Sequence, residues 1–204
     1  MNSNHVNPEP GPLPDQPMQL LVHACCGPCL EYPARLLQGE GHQLTIYAYN
    51  PNIQPEVEHE RRLAALRQLT DQLDLTLFAE GEPQTQQWLE HENITESRCH
   101  MCYRVRLEAA ARKARDLEIP FFTTTLLVSP YQDQTLIREA GEEAASRYGV
   151  TFYFRDFRDG YREGQAMARE DGLYRQKYCG CLPSIDQSRF AERIRREHAE
   201  LSAR

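Results

Sequence analysis

Short apolar runs alternate with longer amphipathic stretches along most of this chain. Five runs rich in β-branched and aromatic side chains read as strands: Leu20 to Ala24, Leu44 to Tyr49, Leu75 to Phe78, Phe121 to Leu126 and Thr151 to Phe154. Between them, apolar positions recur at steps of three and four, the period of a helix with one buried face. In EVEHERRLAALRQLTDQL the residues Leu63, Leu66, Leu69 and Leu73 form such a stripe. Pro55 suits the first helical position there, because its φ is already helical and its missing N–H would have no partner. A second stripe, Tyr103, Leu107, Ala110, Ala114 and Leu117, follows Arg98. Ser129, Pro130 and Gln132 match a helix start, with the helix running to about Tyr148 and ending at Gly149. Ser184 with Gln187 repeats that capping pattern ahead of a C-terminal helix carrying Phe190, Ile194 and His198. Alternation of this kind predicts an α/β fold, a mainly parallel sheet with flanking helices.

A length of 204 residues suits one domain with a full core. The first sixteen residues hold four prolines and no periodicity. We therefore expect a disordered N-terminal tail over residues 1–17 and a single α/β catalytic domain over 18–204. No apolar run approaches the roughly 20 residues that cross a bilayer. The segment MNSNHVNPEPGPLPDQ has no basic patch followed by an apolar stretch, the pattern of a secretory signal. The expectation is a cytoplasmic protein without a membrane partner.

Seven cysteines change the picture, because the number is odd and a reducing compartment does not keep structural disulfides. Metal or redox chemistry becomes the leading question. His23, Ala24, Cys25, Cys26, Gly27, Pro28 and Cys29 fall where the first strand ends, the edge at which open parallel sheets bind ligands. Adjacent cysteines are strained disulfide partners, yet both can reach one metal assembly if Gly27 and Pro28 turn the chain. Small buried cysteines packed under a helix are the plain alternative. Cys99 and Cys102 form a CxxC at a helix start, where unpaired N–H groups favour thiolate. Together the two groups offer enough sulfur for an iron–sulfur cluster or for zinc. Cys179, Gly180 and Cys181 form a third group; a pair separated by one glycine can close a strained, labile disulfide or add two metal ligands.

Taken in order, HACCGPC, YNPNIQP, RCHMCYRVRLEAAA, TTTLLVSPYQD, FRDGYREG and LYRQKYCGC resemble the QueH-type epoxyqueuosine reductases, iron–sulfur enzymes of tRNA queuosine synthesis. The match spans about Leu20 to Pro183. The resemblance implies a HUP-like, Rossmann-like three-layer fold and a [4Fe–4S] cluster held by Cys25, Cys26, Cys99 and Cys102. It also implies Cys179 and Cys181 as a catalytic, redox-active disulfide, and an additional iron or other metal ion beside the cluster. Cys29 has no role in that ligand set and is available to the second ion. The implied reaction converts epoxyqueuosine to queuosine at the wobble position by two-electron deoxygenation, with tRNA and an unidentified electron donor as partners. His23, Asp133, Tyr131 and Tyr178 are candidate proton donors, although Asp133 equally suits a helix cap and His23 a satisfied core position. Asn50 and Asn52 can bind substrate hydroxyls or shape a turn.

A net charge of −7 disfavours nonspecific RNA binding, so an RNA partner requires a local basic surface. Between Arg98 and Arg115, six basic residues face Glu108 alone. A second basic segment, Arg155 to Lys177, is nearly cancelled by interspersed carboxylates, while Tyr161, Tyr174 and Tyr178 could stack on unpaired bases. A solvated helix face explains the same charges; salt-dependent tRNA affinity weakened by charge reversal at Arg104 or Arg112 would separate the two readings. Two other functional classes remain: a general thiol oxidoreductase without a cluster, and a zinc-stabilised RNA-binding module with no iron or sulfide.

Overall fold

A computed structural model describes residues 16–90 and 97–202. The expected tail falls mainly on residues 1–15, outside the described residues. Five strands form one parallel sheet: β1 (Gln19–His23), β2 (Gln43–Tyr49), β3 (Thr76–Glu80), β4 (Phe121–Thr124) and β5 (Thr151–Phe152), in spatial order β3-β2-β1-β4-β5. Central β1 is covered on both faces, which is why LLV reads as a continuous apolar run instead of alternating. All five predicted strands form, each within two residues of its expected ends. Thr124 ends β4 early because its hydroxyl accepts from Leu126 N–H (3.1 Å) and turns the chain into a 3₁₀ segment, Thr125–Val128.

The helices are α1 (Gly27–Gly39), α2 (Glu56–Gln72), α3 (Thr85–Glu90), α4 (Arg98–Asp116), α5 (Gln134–Tyr148), α6 (Tyr161–Glu170), α7 (Pro183–Asp186) and α8 (Ala191–Ser202). One group, α1 with α2 and α6, packs together; α4 and α5 pack on each other and on the sheet. This is the flanked parallel sheet that the alternation of elements predicts. Among the described residues no helix is long and apolar enough to cross a membrane.

Local chemistry corrects four expectations. Gly27 and Pro28 do not form a separate turn: they open α1, with Cys26 as its cap residue, and Gly27 is needed because a Cβ would lie 2.7 Å from the Ala65 carbonyl oxygen of α2. Pro55 is the residue before α2 instead of its first member. The Ser129–Pro130–Gln132 start does not form, because Asp133 caps α5 by accepting from Thr135 and Leu136 N–H at 3.0 and 3.1 Å. Ser184 lies inside α7, its hydroxyl donating to the Cys181 carbonyl (2.6 Å), so it cannot cap α8. Gly149 ends α5 as expected, at φ +70°.

Candidate active site

The sheet order reverses between β1 and β4, and the chain segments leaving these two strands meet at their C-terminal edge. Cys25 follows β1 and Thr125 follows β4. Thr125 Oγ1 accepts from the Cys25 N–H (3.2 Å) and its hydroxyl donates to Cys25 Sγ at 3.5 Å. Cys25 Sγ lies 3.6 Å from Cys26 Sγ, and Cys29, one helical turn on, completes a trio whose sulfurs all lie within 4.8 Å of one another. Cys26 and Cys29 are buried and Cys25 is partly exposed. The Cys25 thiol is held well below its usual range, first by the hydrogen bond with Cys26 and then by that with Cys29. Burial pushes Cys26 up, and donation to Cys25 pushes Cys29 up.

Helix α4 brings the second group. Ser97 caps it, accepting from His100 N–H at 3.2 Å, and Cys102 faces inward while Cys99 is exposed. Cys102 packs with Trp88, Met101 and Cys181 in a small apolar cluster, and burial pushes its thiol up to about 12. The third group, Cys179 to Cys181, is anchored from α2: Arg62 donates to the carbonyls of Cys179 (2.8 Å) and Tyr178 (2.9 Å), and Gln54 N–H donates to the Gly180 carbonyl at 2.9 Å. Gly180 has φ +142°, and a side chain there would press on Asn52, Ile53 and Arg62. Cys179 is exposed, with Gln132 Nε2 donating to its sulfur at 3.6 Å; Cys181 is buried, and both are free thiols.

One buried cation connects the three groups. Arg106 is 2% exposed; it points one Nη at Cys102 Sγ (3.8 Å) and donates the other to Asn50 Oδ1 (2.7 Å), and its charge also acts on Cys25 and Cys179. Its Nε has no hydrogen-bond partner among the described residues. Read from sequence, Arg106 belongs to a basic helix face; the structure places it on the inner stripe of α4, beside Leu107. Asn50 donates in turn to the Ala24 carbonyl at 2.9 Å, so it shapes the strand ends and holds Arg106. His23 is a satisfied core residue: its ring nitrogens meet Thr124 Oγ1 (2.8 Å) and the Tyr49 carbonyl (3.2 Å), and burial, then Arg106, lowers it to about 3. Tyr178 is buried with its hydroxyl on the Gln54 carbonyl, which removes it from the candidate proton donors.

Of the four expected cluster ligands, Cys25 and Cys26 stand together, Cys102 is tied to their surroundings through Arg106 and Asn50, and Cys99 is exposed in the first turn of α4. The tight trio is instead completed by Cys29. The donor set fits a thiolate-ligated metal centre: soft sulfur donors are gathered without a disulfide, and the buried cation Arg106 offsets negative charge among them.

The family model of Epoxyqueuosine reductase QueH matches residues 20–187. Among curated proteins, the epoxyqueuosine reductase QueH of Dehalococcoides mccartyi is 32% identical over 175 residues, covering 85% of this chain and 96% of that one. The Thermotoga maritima protein of the same name is 35% identical over 194 residues, covering 90% and 95%. Among solved structures, the U34-tRNA thiolase NcsA from Methanococcus maripaludis, described with its [4Fe-4S] cluster, superposes with a TM-score of 0.53 at 12% identity. That alignment covers 80% of this chain and 59% of the thiolase, and at such identity it speaks to the fold alone. With its motifs in order and the family match running from β1 through α7, the chain belongs to the epoxyqueuosine reductase QueH family.

Proposed function

We propose that this protein reduces epoxyqueuosine to queuosine at the wobble position of tRNA. The observation that carries the reading is the convergence of three cysteine groups around buried Arg106 at the switch point of the sheet. Removing the epoxide oxygen leaves a carbon–carbon double bond and water, and consumes two electrons and two protons. Cys179 and Cys181, as dithiol, supply both pairs on closing to a disulfide, so substrate and dithiol give product, water and disulfide in balance. An external donor must then reopen the bridge. Cys25, Cys26, Cys99 and Cys102 would hold a [4Fe–4S] cluster, with Cys29 available to an additional metal ion; such a centre would carry those same electrons one at a time and supply Lewis acidity.

The chain's own residues prepare that chemistry. Arg62 and Gln54 fix the backbone of the Cys179–Cys181 loop, which holds exposed Cys179 toward solvent and incoming substrate while Cys181 waits beneath it. Gln132 donates to Cys179 Sγ and so orients the accessible sulfur. Arg106 supplies fixed positive charge to each thiolate that forms around it. Replacing Cys179→Ser is expected to stop turnover while the visible absorbance of the cluster persists. Loss of the cluster in that variant would move Cys179 into the ligand set and defeat this division of roles. Metal analysis separates the remaining classes, since stoichiometric zinc without iron or sulfide would describe an RNA-binding module instead.

A further inference from the structure

Tyr131 is the most exposed large side chain of apolar body among the described residues, at 81%. It occupies the turn between the 3₁₀ segment after β4 and helix α5, and its neighbour Gln132 is held from two sides. Tyr103 OH donates to Gln132 Oε1 at 2.7 Å, and Gln132 Nε2 reaches Cys179 Sγ. The ring is therefore displayed from a backbone anchored at the thiol pocket. Tyr161 meets it edge-on, with centroids 6.0 Å apart and planes at 87°, an arrangement that leaves an aromatic face of Tyr131 open. Arg175, exposed, donates from Nε to Gln165 Oε1 at 3.2 Å, one turn after Tyr161 on α6. Gln176, next to Arg175, donates to Cys29 Sγ at 3.4 Å. Two residues that touch site sulfurs, Gln132 and Gln176, thus each have a neighbour on the rim, one an open π face and the other a cation.

An open aromatic face and an exposed guanidinium on one rim are the chemistry that single-stranded nucleic acid meets: a base stacks and a phosphate pairs. The proposed substrate makes this demand on the rim, because a wobble nucleotide can enter the thiol pocket only if it is pulled from its neighbours in the anticodon loop. An unstacked neighbour then needs a new surface. We propose that Tyr131 is the stacking platform for an unpaired anticodon-loop base adjacent to the modified nucleotide, with Arg175 on a nearby phosphate. The inference rests on the tRNA reading above and deepens it.

Direct binding tests it, using fluorescence anisotropy of the holoprotein with a fluorescein-labelled anticodon stem–loop carrying epoxyqueuosine. Loss of one base–aromatic stack corresponds to a weakening of roughly five- to hundredfold for Tyr131→Ala, whereas Tyr131→Phe, which keeps the face, stays within about twofold of wild type. The slope of log affinity against log salt is unchanged in Tyr131→Ala, because stacking releases no counterion, and falls by about 0.7 in Arg175→Gln. Wild-type affinity in Tyr131→Ala, or a Phe variant as weak as the Ala variant, overturns the platform. Unchanged RNA affinity combined with loss of turnover by a protein reductant, but not by dithionite, also overturns it and gives the rim to the electron donor. Tyr131-dependent RNA binding without removal of oxygen would leave the platform standing while refuting the proposed reaction. A wild-type protein that fails to bind the stem–loop refutes the platform itself.

Discussion

Removing Arg62 should cost a large part of the stability of this protein and release the Cys179–Cys181 loop. Arg62 is 2% exposed and Glu58 fully buried, with Nε to Oε1 at 2.7 Å; the two Nη groups carry the carbonyls of Cys179 and Tyr178. In Arg62→Leu, the Glu58 carboxylate keeps Tyr174 OH (2.7 Å) and His198 (3.6 Å) but loses its cation, and two carbonyls lose a donor. Breaking a buried pair from one side costs about 3–5 kcal/mol, and an orphaned buried carbonyl about 1–3, in a sum that is not additive; we expect about 4 kcal/mol in total. Because total stability is about 5–15 kcal/mol and urea removes about 2 kcal/mol per molar, the midpoint should fall by about 2 M. The assay is urea unfolding of wild type and variant at matched metal content. Glu58→Leu/Arg62→Leu should recover part of the loss, since it buries no unpaired carboxylate. A midpoint for Arg62→Leu within about 0.3 M of wild type would refute the anchoring role.

Two further outcomes follow from packing and charge. At Gly141 of α5 a Cβ would sit 2.3 Å from the ring of Phe152, which is itself packed on Phe122 at 5.1 Å between centroids, so the ring cannot yield freely. Gly141→Ala gains about 1 kcal/mol of helix propensity but overpacks by about 1–3 kcal/mol, so thermal unfolding should show an unchanged or lower melting temperature; a rise would contradict the contact. Glu197 of α8 is drawn down to about 2, first by Lys177 (2.6 Å) and then by Arg193 (2.8 Å). A depressed carboxylate stabilises the fold above its ordinary pKa and loses that contribution as pH falls. The stability gap between wild type and Glu197→Gln should therefore shrink between pH 4.5 and about 2. A gap that stays constant over that window would show that the Lys177–Glu197 pair does not fasten α8 near the thiol loop.

Much of this architecture is legible from residues alone because burial and periodicity point the same way. LLV in β1 and the Leu66 and Leu69 positions of α2 are fully covered, as their pattern predicts. Thiol positions are legible too, since a strand followed by CCGPC must deliver its sulfurs to the sheet edge. What the sequence conceals is the buried charge. Arg62 lies on the covered stripe of α2 with Ala65, Leu66 and Leu69, and Arg106 on that of α4 with Tyr103, Leu107 and Ala110. A guanidinium at helical spacing from core residues, four after a glutamate or a cysteine, is the signal that could have identified both. Competition among caps obscures the α5 start: Ser129, Pro130 and Asp133 all suit a helix entrance, and the carboxylate wins by accepting two N–H groups. Asp133 thereby acts as a cap, not as a free acid. The convergence of Cys179 on Arg106 depends on contacts more than a hundred residues apart in sequence, such as Arg62 to Cys179, which no local pattern encodes.

The most direct measurement is mass analysis of nucleosides after anaerobic reconstitution with iron and sulfide, reduction, and incubation with tRNA bearing epoxyqueuosine. The expected product is a nucleoside lighter by one oxygen atom, formed by wild type and absent with Cys179→Ser. An unaltered nucleoside after treatment with fully loaded, reduced wild-type protein would contradict it.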